Sequence, residues 1–317
     1  MSEADADSRQ RATRQPLTRF GRLARRIFSR ALTLGVRAVE RNDTEFVRGA
    51  RFDALGPEPR LALVQDGEEV YVVLSTDQII SRDVFLHGNR AGDRVARALQ
   101  FLEEGFHLDT LVDVGANIGI VCVSAVHRGL ARRAIAIEPV PQNHRLLVAN
   151  IHLNGLADRI QHHAVALGAA RDETLSFELS PDNSGDHRVS VLQDDGLFGE
   201  SRRQRMQIRS TRFDDLVGDL DPRSSLIWME AQGYEGHILR GATRAVAAKV
   251  PLVAEFCPYL MRRAGSYASF LEAVGRYRFW VDLSAAQGRP DPVSPASVER
   301  LAERLGDQGG YTDLLFG

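Results

Sequence analysis

From residue 110 onward, short apolar runs alternate with helical patterns, and that alternation confines the chain to few folds. LVDVGA (111–116), AIAIEP (134–139), QHHAVALG (161–168), SLIWMEAQG (225–233) and PLVAEFCP (251–258) read as buried strands. GIVCVSAVHRG, PQNHRLLVANIHLNG and GHILRGATRAVAAK read as the helices between them, the second opened by Pro141 and closed at Asn154-Gly155. SYASFLEAVGRY and RFWVDLS add a helix and a strand; a helix at 295–305 and a last strand, YTDLLF, follow. Strands that alternate with helices of this length imply a parallel sheet covered on both faces. The expected fold class is therefore α/β, a Rossmann-like, mostly parallel sheet with helices on both faces.

The long segment 171–215 interrupts this rhythm between the third and fourth strands, and long insertions on regular sheets are usually functional. It carries a turn-rich patch at 180–186 and an alternating stretch at 205–211, the latter read as structural. Thr211 and Asp214 resemble a capping box before a short helix. Upstream, residues 60–75 read as a hairpin and 77–104 as helical, clearest over 94–102. Residues 16–41 place Phe20, Leu23, Ile27, Ala31, Leu34 and Ala38 on one helical stripe. Between residues 9 and 41 there are ten arginines and one acid, so this basic helix either packs on its own domain or meets a membrane surface or partner. The expected organisation is a disordered tail at 1–15, an extension of helix, hairpin and helical segment at 16–104, and a sheet domain at 105–317.

A net charge of −2 gives no footprint for nucleic acid. No run of about 18 apolar residues is present to span a bilayer, and no signal peptide is evident, so a cytoplasmic location is expected. Cys122 and Cys257 sit in apolar contexts outside any CxxC motif and read as reduced, buried thiols. His144 and His152 are eight apart and His162-His163 adjoin, neither a metal-binding spacing, so no metal is expected.

The chemistry is concentrated after the first strand. Asp113, Gly115, Ala116, Asn117 and Gly119 form a loop that opens a helix, where glycines let backbone approach a ligand and the helix N-terminus offers free N–H groups. Glu138 ends the next strand, 25 residues after Asp113, where an acid accepts the hydroxyls of a ribose. Together they indicate a nucleoside-containing cofactor. The spacing departs from G-x-G-x-x-G, and a carboxylate and an Asn in the loop suit a cationic or zwitterionic ligand better than a pyrophosphate. That pattern points to S-adenosylmethionine and leaves a nicotinamide oxidoreductase as a lesser alternative.

The sequence resembles the FkbM family of methyltransferases through VDVGANIG (112–119), EPVPQNHRLLVANIHLNG (138–155), TRFDDL (211–216), LIWMEAQGYEGHILRGA (226–242) and VAEFCP (253–258). The resemblance implies a class I, seven-strand methyltransferase fold and O-methylation of a hydroxyl on a sugar, glycan or natural product. It implies that Asp113 to Gly119 surround the methionine part of the cofactor, with Glu138 on the ribose and Asn143 bracing the loop. Ala164 and Val165 would lie near the adenine, and Glu230 would face the methyl group. Family members often read I-D-V-E-G-x-E where this chain has Met229-Glu230-Ala231-Gln232-Gly233-Tyr234-Glu235, which puts the base in question and keeps a repurposed, non-catalytic domain as an alternative. His187 and Glu230 are the candidate bases; Arg188 and Glu255 are candidate contacts to a small-molecule or glycan acceptor. The sequence leaves homo-oligomers open.

Overall fold

In the computed structural model, residues 45–317 are described except 193–194 and 286–288. The chain divides into two units between Arg51 and Phe52. Of the first, only residues 45–51, in helix α1 (Glu45–Asp53), are described. The tail expected at 1–15 and the basic helix expected at 16–41, with its membrane or partner contact, lie outside the described residues.

The second unit opens with the hairpin β1 (Leu61–Asp66) and β2 (Glu69–Leu74), then helices α2 (Ile80–His87) and α3 (Ala91–Leu99). The helical pattern over 77–104 is thus two helices, parted at Gly88. The strands of the main sheet are β3 (Thr110–Val114), β4 (Arg133–Ile137), β5 (Ile160–His163), β10 (Ser225–Met229), β11 (Leu252–Phe256), β12 (Phe279–Asp282), β13 (Asp291–Pro292) and β14 (Thr312–Phe316). Their order is β13-β12-β14-β11-β10-β3-β4-β5; β14 runs antiparallel to both its neighbours, and the two-residue β13 adds an eighth strand to the seven expected.

Alternation along the strands builds two cores. Leu111, Trp228, Val253 and Leu315 face helix α4 (Ile120–His127), the hairpin and α3. Val112, Ile227, Met229, Leu252 and Phe316 face the opposite layer. That layer holds α7 (Glu235–Gly241), α8 (Thr243–Ala247), α9 (Pro258–Arg263), α10 (Tyr267–Val274) and α11 (Pro295–Leu305). Each such side chain contributes about 1.5–3 kcal/mol on burial.

The expected third strand, 161–168, bends at Ala164-Val165: β5 stays in the main sheet, while β6 (Ala166–Gly168) enters a second one. That sheet, ordered β6-β9-β7-β8, is completed by β7 (Thr174–Leu179), β8 (Arg188–Val189) and β9 (Gln204–Arg212), so the long insertion is a folded layer. The helix expected over 236–249 is likewise two, joined at Ala242. The capping box expected at Thr211/Asp214 does not form, since α6 (Phe213–Val217) has no side-chain cap. Asp214 instead accepts from Thr243 Oγ1 at 2.7 Å and Arg244 N at 3.1 Å, capping α8. Cys122 and Cys257 are buried free thiols.

The hairpin is fastened by two amides on α5 (Pro141–Leu153) and its end. Asn150 Oδ1 accepts from Val72 N at 2.6 Å and Asn154 Oδ1 from Val70 N at 2.9 Å, while their Nδ2 atoms donate to the carbonyls of the same residues. One helical turn thereby substitutes for a missing strand along β2. Asn150→Ala is expected to lower the unfolding free energy by about 1–3 kcal/mol, the cost of a buried polar group left unpaired. Denaturant titration checks it; an unchanged midpoint would show that the hairpin needs no such anchor.

Candidate active site

The strand order reverses between β3 and β10, and in open parallel sheets the crevice beyond the strand ends at such a point is where ligands bind. The loop after β3 meets the end of β10 there. Gly115 has φ +81°, and a Cβ on it would stand 2.0 Å from the Glu230 carbonyl oxygen. Gly119 has φ +89°, and its Cβ would meet Leu147 Cδ1 at 2.7 Å. At both glycines a side chain would also meet the chain's own neighbouring atoms. Asn117, at φ +51°, donates its backbone N–H to Glu138 Oε2 at 2.8 Å, and Val140 N donates to Oε1 at 2.8 Å. Asp113 Oδ2 accepts from Cys122 N at 3.0 Å in the first turn of α4. Burial pushes the Asp113 carboxyl up to about 7 and that of Glu138 up to about 8, against their backbone hydrogen bonds.

Glu138, Asn143, Val165, Phe177, His187 and Ile238 line a narrow slot beside this loop. The bend after β5 turns Val165 into it; Ala164 is not among the lining residues. The turn at 184–186 forms one wall. Ser184 Oγ donates to Asp77 Oδ2 at 2.6 Å, and Asn143 Nδ2 donates to Ser184 O at 3.0 Å. Asn143 therefore braces this turn, where the sequence had it bracing the 113–119 loop. His187 Nδ1 accepts from Ser180 N at 3.1 Å, and burial pushes the imidazole down to about 4. Arg188 is buried, paired with Asp186 and Glu200, and its guanidinium lies 4.9 Å from the Phe198 ring centroid.

A cleft of about 330 Å³ lies on the other side of Glu230. Sheet register sets its floor: Asp113, Glu230, Glu255 and Asp313 alternate in phase with Leu111, Trp228, Val253 and Leu315 and so share one face. Glu255 and Asp313 are direct cross-strand partners. Arg94, from α3, lies 3.1 Å from Asp313 and 3.5 Å from Glu230, over the Trp228 ring. Burial opposes its charge, yet Glu230 and Asp313 outweigh that and raise its pKa. Trp228 Nε1 donates to Glu230 Oε1 at 2.9 Å, and Gln232 Nε2 to Glu255 Oε2 at 2.9 Å. Burial, then the charges of Glu235, Glu230 and Asp313, push the Glu255 carboxyl well up; burial and Glu230 push Asp313 up to about 6. Arg188 also borders the cleft, and Ile79, Phe198 and Tyr311 form an apolar rim.

The structure thus joins Asp113, Gly115, Asn117, Glu138 and Glu230 at the strand ends, with Asn143, Val165 and His187 on the slot side and Ala116, Arg188 and Glu255 on the cleft side. Arg94, Asp77 and Asp313 were not singled out in the sequence, because each reaches the site from an element with no motif of its own. Among the described residues, no group of three or more His, Cys, Asp or Glu is placed to hold a metal ion, although His144 Nε2 lies 3.1 Å from His162 Nδ1. Among them, too, no helix is long and apolar enough to cross a membrane.

The sheet order, with β14 antiparallel between the parallel strands β12 and β11 and the crevice at the β3/β10 reversal, is that of a class I methyltransferase fold. The sequence profile described as the methyltransferase FkbM domain matches residues 113–276, and the chain belongs to that family. The AMB antimetabolite synthetase AmbE of Pseudomonas aeruginosa is 25% identical over 266 aligned positions, covering 65% of this chain but only 12% of that far longer protein. The FkbM methyltransferase of Methylobacillus flagellatus is a solved structure at 17% identity and TM-score 0.40, covering 74% of this chain and 52% of that one. TYW2 of M. jannaschii, solved in complex with AdoMet, stands at 11% identity and TM-score 0.38, covering 82% of this chain and 85% of its own.

Asp113, Glu138 and Glu235 bind their protons more tightly folded than unfolded, near 7, 8 and 7. Above pH 6.5 the unfolded carboxyls are already ionised, so the folded state alone releases protons and stability falls as pH rises to about 8. Each fully titrating group contributes a slope of up to about 1.4 kcal/mol per pH unit. Denaturant unfolding at pH 6.5 and 8.5 measures this, and Glu138→Gln is expected to flatten the decline; a stability that rises over that range would contradict the buried-acid arrangement.

Proposed function

We propose that this protein is an S-adenosylmethionine-dependent O-methyltransferase acting on a hydroxyl of a small molecule or glycan. The observation that carries the reading is the Asp113–Gly119 loop joined to Glu138 at the strand reversal, within a chain of the FkbM methyltransferase family. The chemistry of the pocket fits the cofactor. Glu138 retains free lone pairs for ribose hydroxyls, and Val165, Phe177 and Ile238 offer apolar walls for a flat base. Asp113 and Glu230 give the loop end a negative character suited to a sulfonium and an ammonium group. The turn at 184–186 closes one side of the slot.

When bound, the cofactor supplies an electrophilic methyl group on a good leaving group. The protein's part is to hold the acceptor in line and to take its proton, and proximity supplies much of the rate. The cleft beyond Glu230 is the natural place for the acceptor, because it opens on the same residue that borders the slot. Its acidic floor disfavours phosphate-bearing acceptors, nucleic acid among them, and its rim accommodates an apolar body. A natural-product acceptor is in keeping with the antimetabolite synthetase relative.

Calorimetry is expected to show one site for S-adenosylhomocysteine and none for NAD. Glu138→Ala is expected to weaken that binding by about 1–3 kcal/mol, the scale of hydrogen bonds to a charged group. Labelled methyl transfer into fractionated extract, with mass identification of the product, then reports the acceptor. Binding of NAD without any response to S-adenosylhomocysteine would overturn the reading.

A further inference from the structure

Of the acids on the cleft floor, all but Glu255 are bonded to a guanidinium, an indole or a backbone N–H. Glu230 Oε1 takes the Trp228 indole and faces Arg94; Asp313 pairs with Arg94; Asp113 takes the Cys122 N–H. Each of these donors commits the oxygen it meets and opposes that oxygen's taking a proton, even where burial raises the carboxyl as a whole, as at Asp113 and Asp313. His187 lines the slot, with Nδ1 committed to Ser180 N–H. Glu255 differs from all of these. Its hydrogen-bond partner is the neutral Gln232 amide, on Oε2 at 2.9 Å, and Oε1 has no partner among the described residues while Glu255 lines the cleft.

Gln232 is itself unusual. It is not glycine, yet it sits at φ +52°, a left-handed conformation that costs about 1–3 kcal/mol and concentrates at functional sites. The turn around it is held by Ala231 N donating to Glu235 Oε1 at 2.8 Å. Gln232 borders both slot and cleft, so its side chain bridges the expected positions of methyl donor and acceptor.

We infer that Glu255 is the base that takes the acceptor's proton and that Gln232 is the positioning residue that holds its carboxylate. The inference rests on the O-methyltransferase reading and assigns the step that reading left without an owner. The hydroxyl proton passes to Glu255 Oε1 as the hydroxyl oxygen's lone pair forms a bond to the methyl carbon. The carbon–sulfur bond of S-adenosylmethionine breaks with its electron pair returning to sulfur, leaving a methyl ether and S-adenosylhomocysteine. The proton on Glu255 then passes to water as the product leaves. Burial and the neighbouring charges of Glu235, Glu230, Asp313 and Asp186 raise the proton affinity of Glu255, so its ionised form, once the proton has left to water, is a stronger base towards the hydroxyl.

The test uses Glu255→Gln, Gln232→Ala and His187→Ala in the full chain. Three readouts apply: methyl transfer from labelled S-adenosylmethionine into the extract fraction that the wild type methylates, S-adenosylhomocysteine affinity, and the thermal midpoint at pH 7.5. Glu255→Gln is expected to slow transfer by about 10²–10⁴-fold, the usual worth of general base help, with cofactor affinity unchanged. Its midpoint is expected to hold or rise, because an isosteric amide removes a carboxyl crowded by other acids. Gln232→Ala is expected to move the acid limb of the pH–rate profile upward, as a base that loses a donor binds its proton more tightly. Retained turnover in Glu255→Gln, or a fall in its midpoint that marks the carboxylate as structural, overturns the inference, as does loss of transfer in His187→Ala alone. A wild type that neither binds S-adenosylhomocysteine nor transfers methyl groups is a failure of the functional reading instead, and the midpoint arm still reports on Glu255.

Discussion

The site depends on one close approach, that of the Gly115 backbone to the carbonyl of Glu230. β3 and β10 are adjacent parallel strands from which the connections run in opposite directions, so the chain leaves their ends towards opposite sides and opens a crevice. A side chain at 115 would occupy the space of the Glu230 carbonyl, 2.0 Å away, and would force the two strand ends apart. With glycine there, the Asp113–Gly119 loop and the 230–233 turn share a wall, slot on one side and cleft on the other. Two of the four left-handed non-glycine residues among those described, Asn117 and Gln232, sit on either side of that seam.

Around it, the structure adds ties from distant parts of the chain. The segments that precede the sheet deliver Arg94, from α3, over Trp228 and Asp77, from the turn between the hairpin and α2, against Ser184. Asp77 also accepts from Ile80 N and Ser81 N, so one carboxylate both caps α2 and anchors the turn that closes the slot. Segments that look like an appendage in sequence order therefore complete the site's walls.

The main sheet was legible because its signals are local. Apolar runs bounded by glycine or proline mark β3, β4, β10 and β11, and the Asp113–Gly119 loop with Glu138 is a contiguous pattern read over a single strand–helix–strand unit. What escaped is long-range. Asp313 and Glu255 face each other only because β14 returns antiparallel beside β11, a pairing no periodicity announces. The break of the third strand was hidden because Ala164-Val165 is as apolar as a strand, while the bend answers the need to feed a second sheet. Asp214 misled for a related reason: its spacing from Thr211 fits a local cap, but Thr243 and Arg244, brought near by packing, compete for it.

The cleft is costly in stability terms. Several acids converge on one face, and the only guanidinium bonded to them there among the described residues is that of Arg94, bound to two of them. Like charges on facing strands repel, and burial sharpens the repulsion. A fold selected for stability alone would replace Glu255 or Asp313 with apolar residues matching Val253 and Leu315 on the same face. The arrangement makes physical sense if the carboxyls exchange protons with water between turnovers, because the protonated form removes the repulsion and the ionised form is the base. Arg94 then sets the division of labour. It pairs with Glu230 and Asp313, and Glu255 is left to the uncharged amide of Gln232.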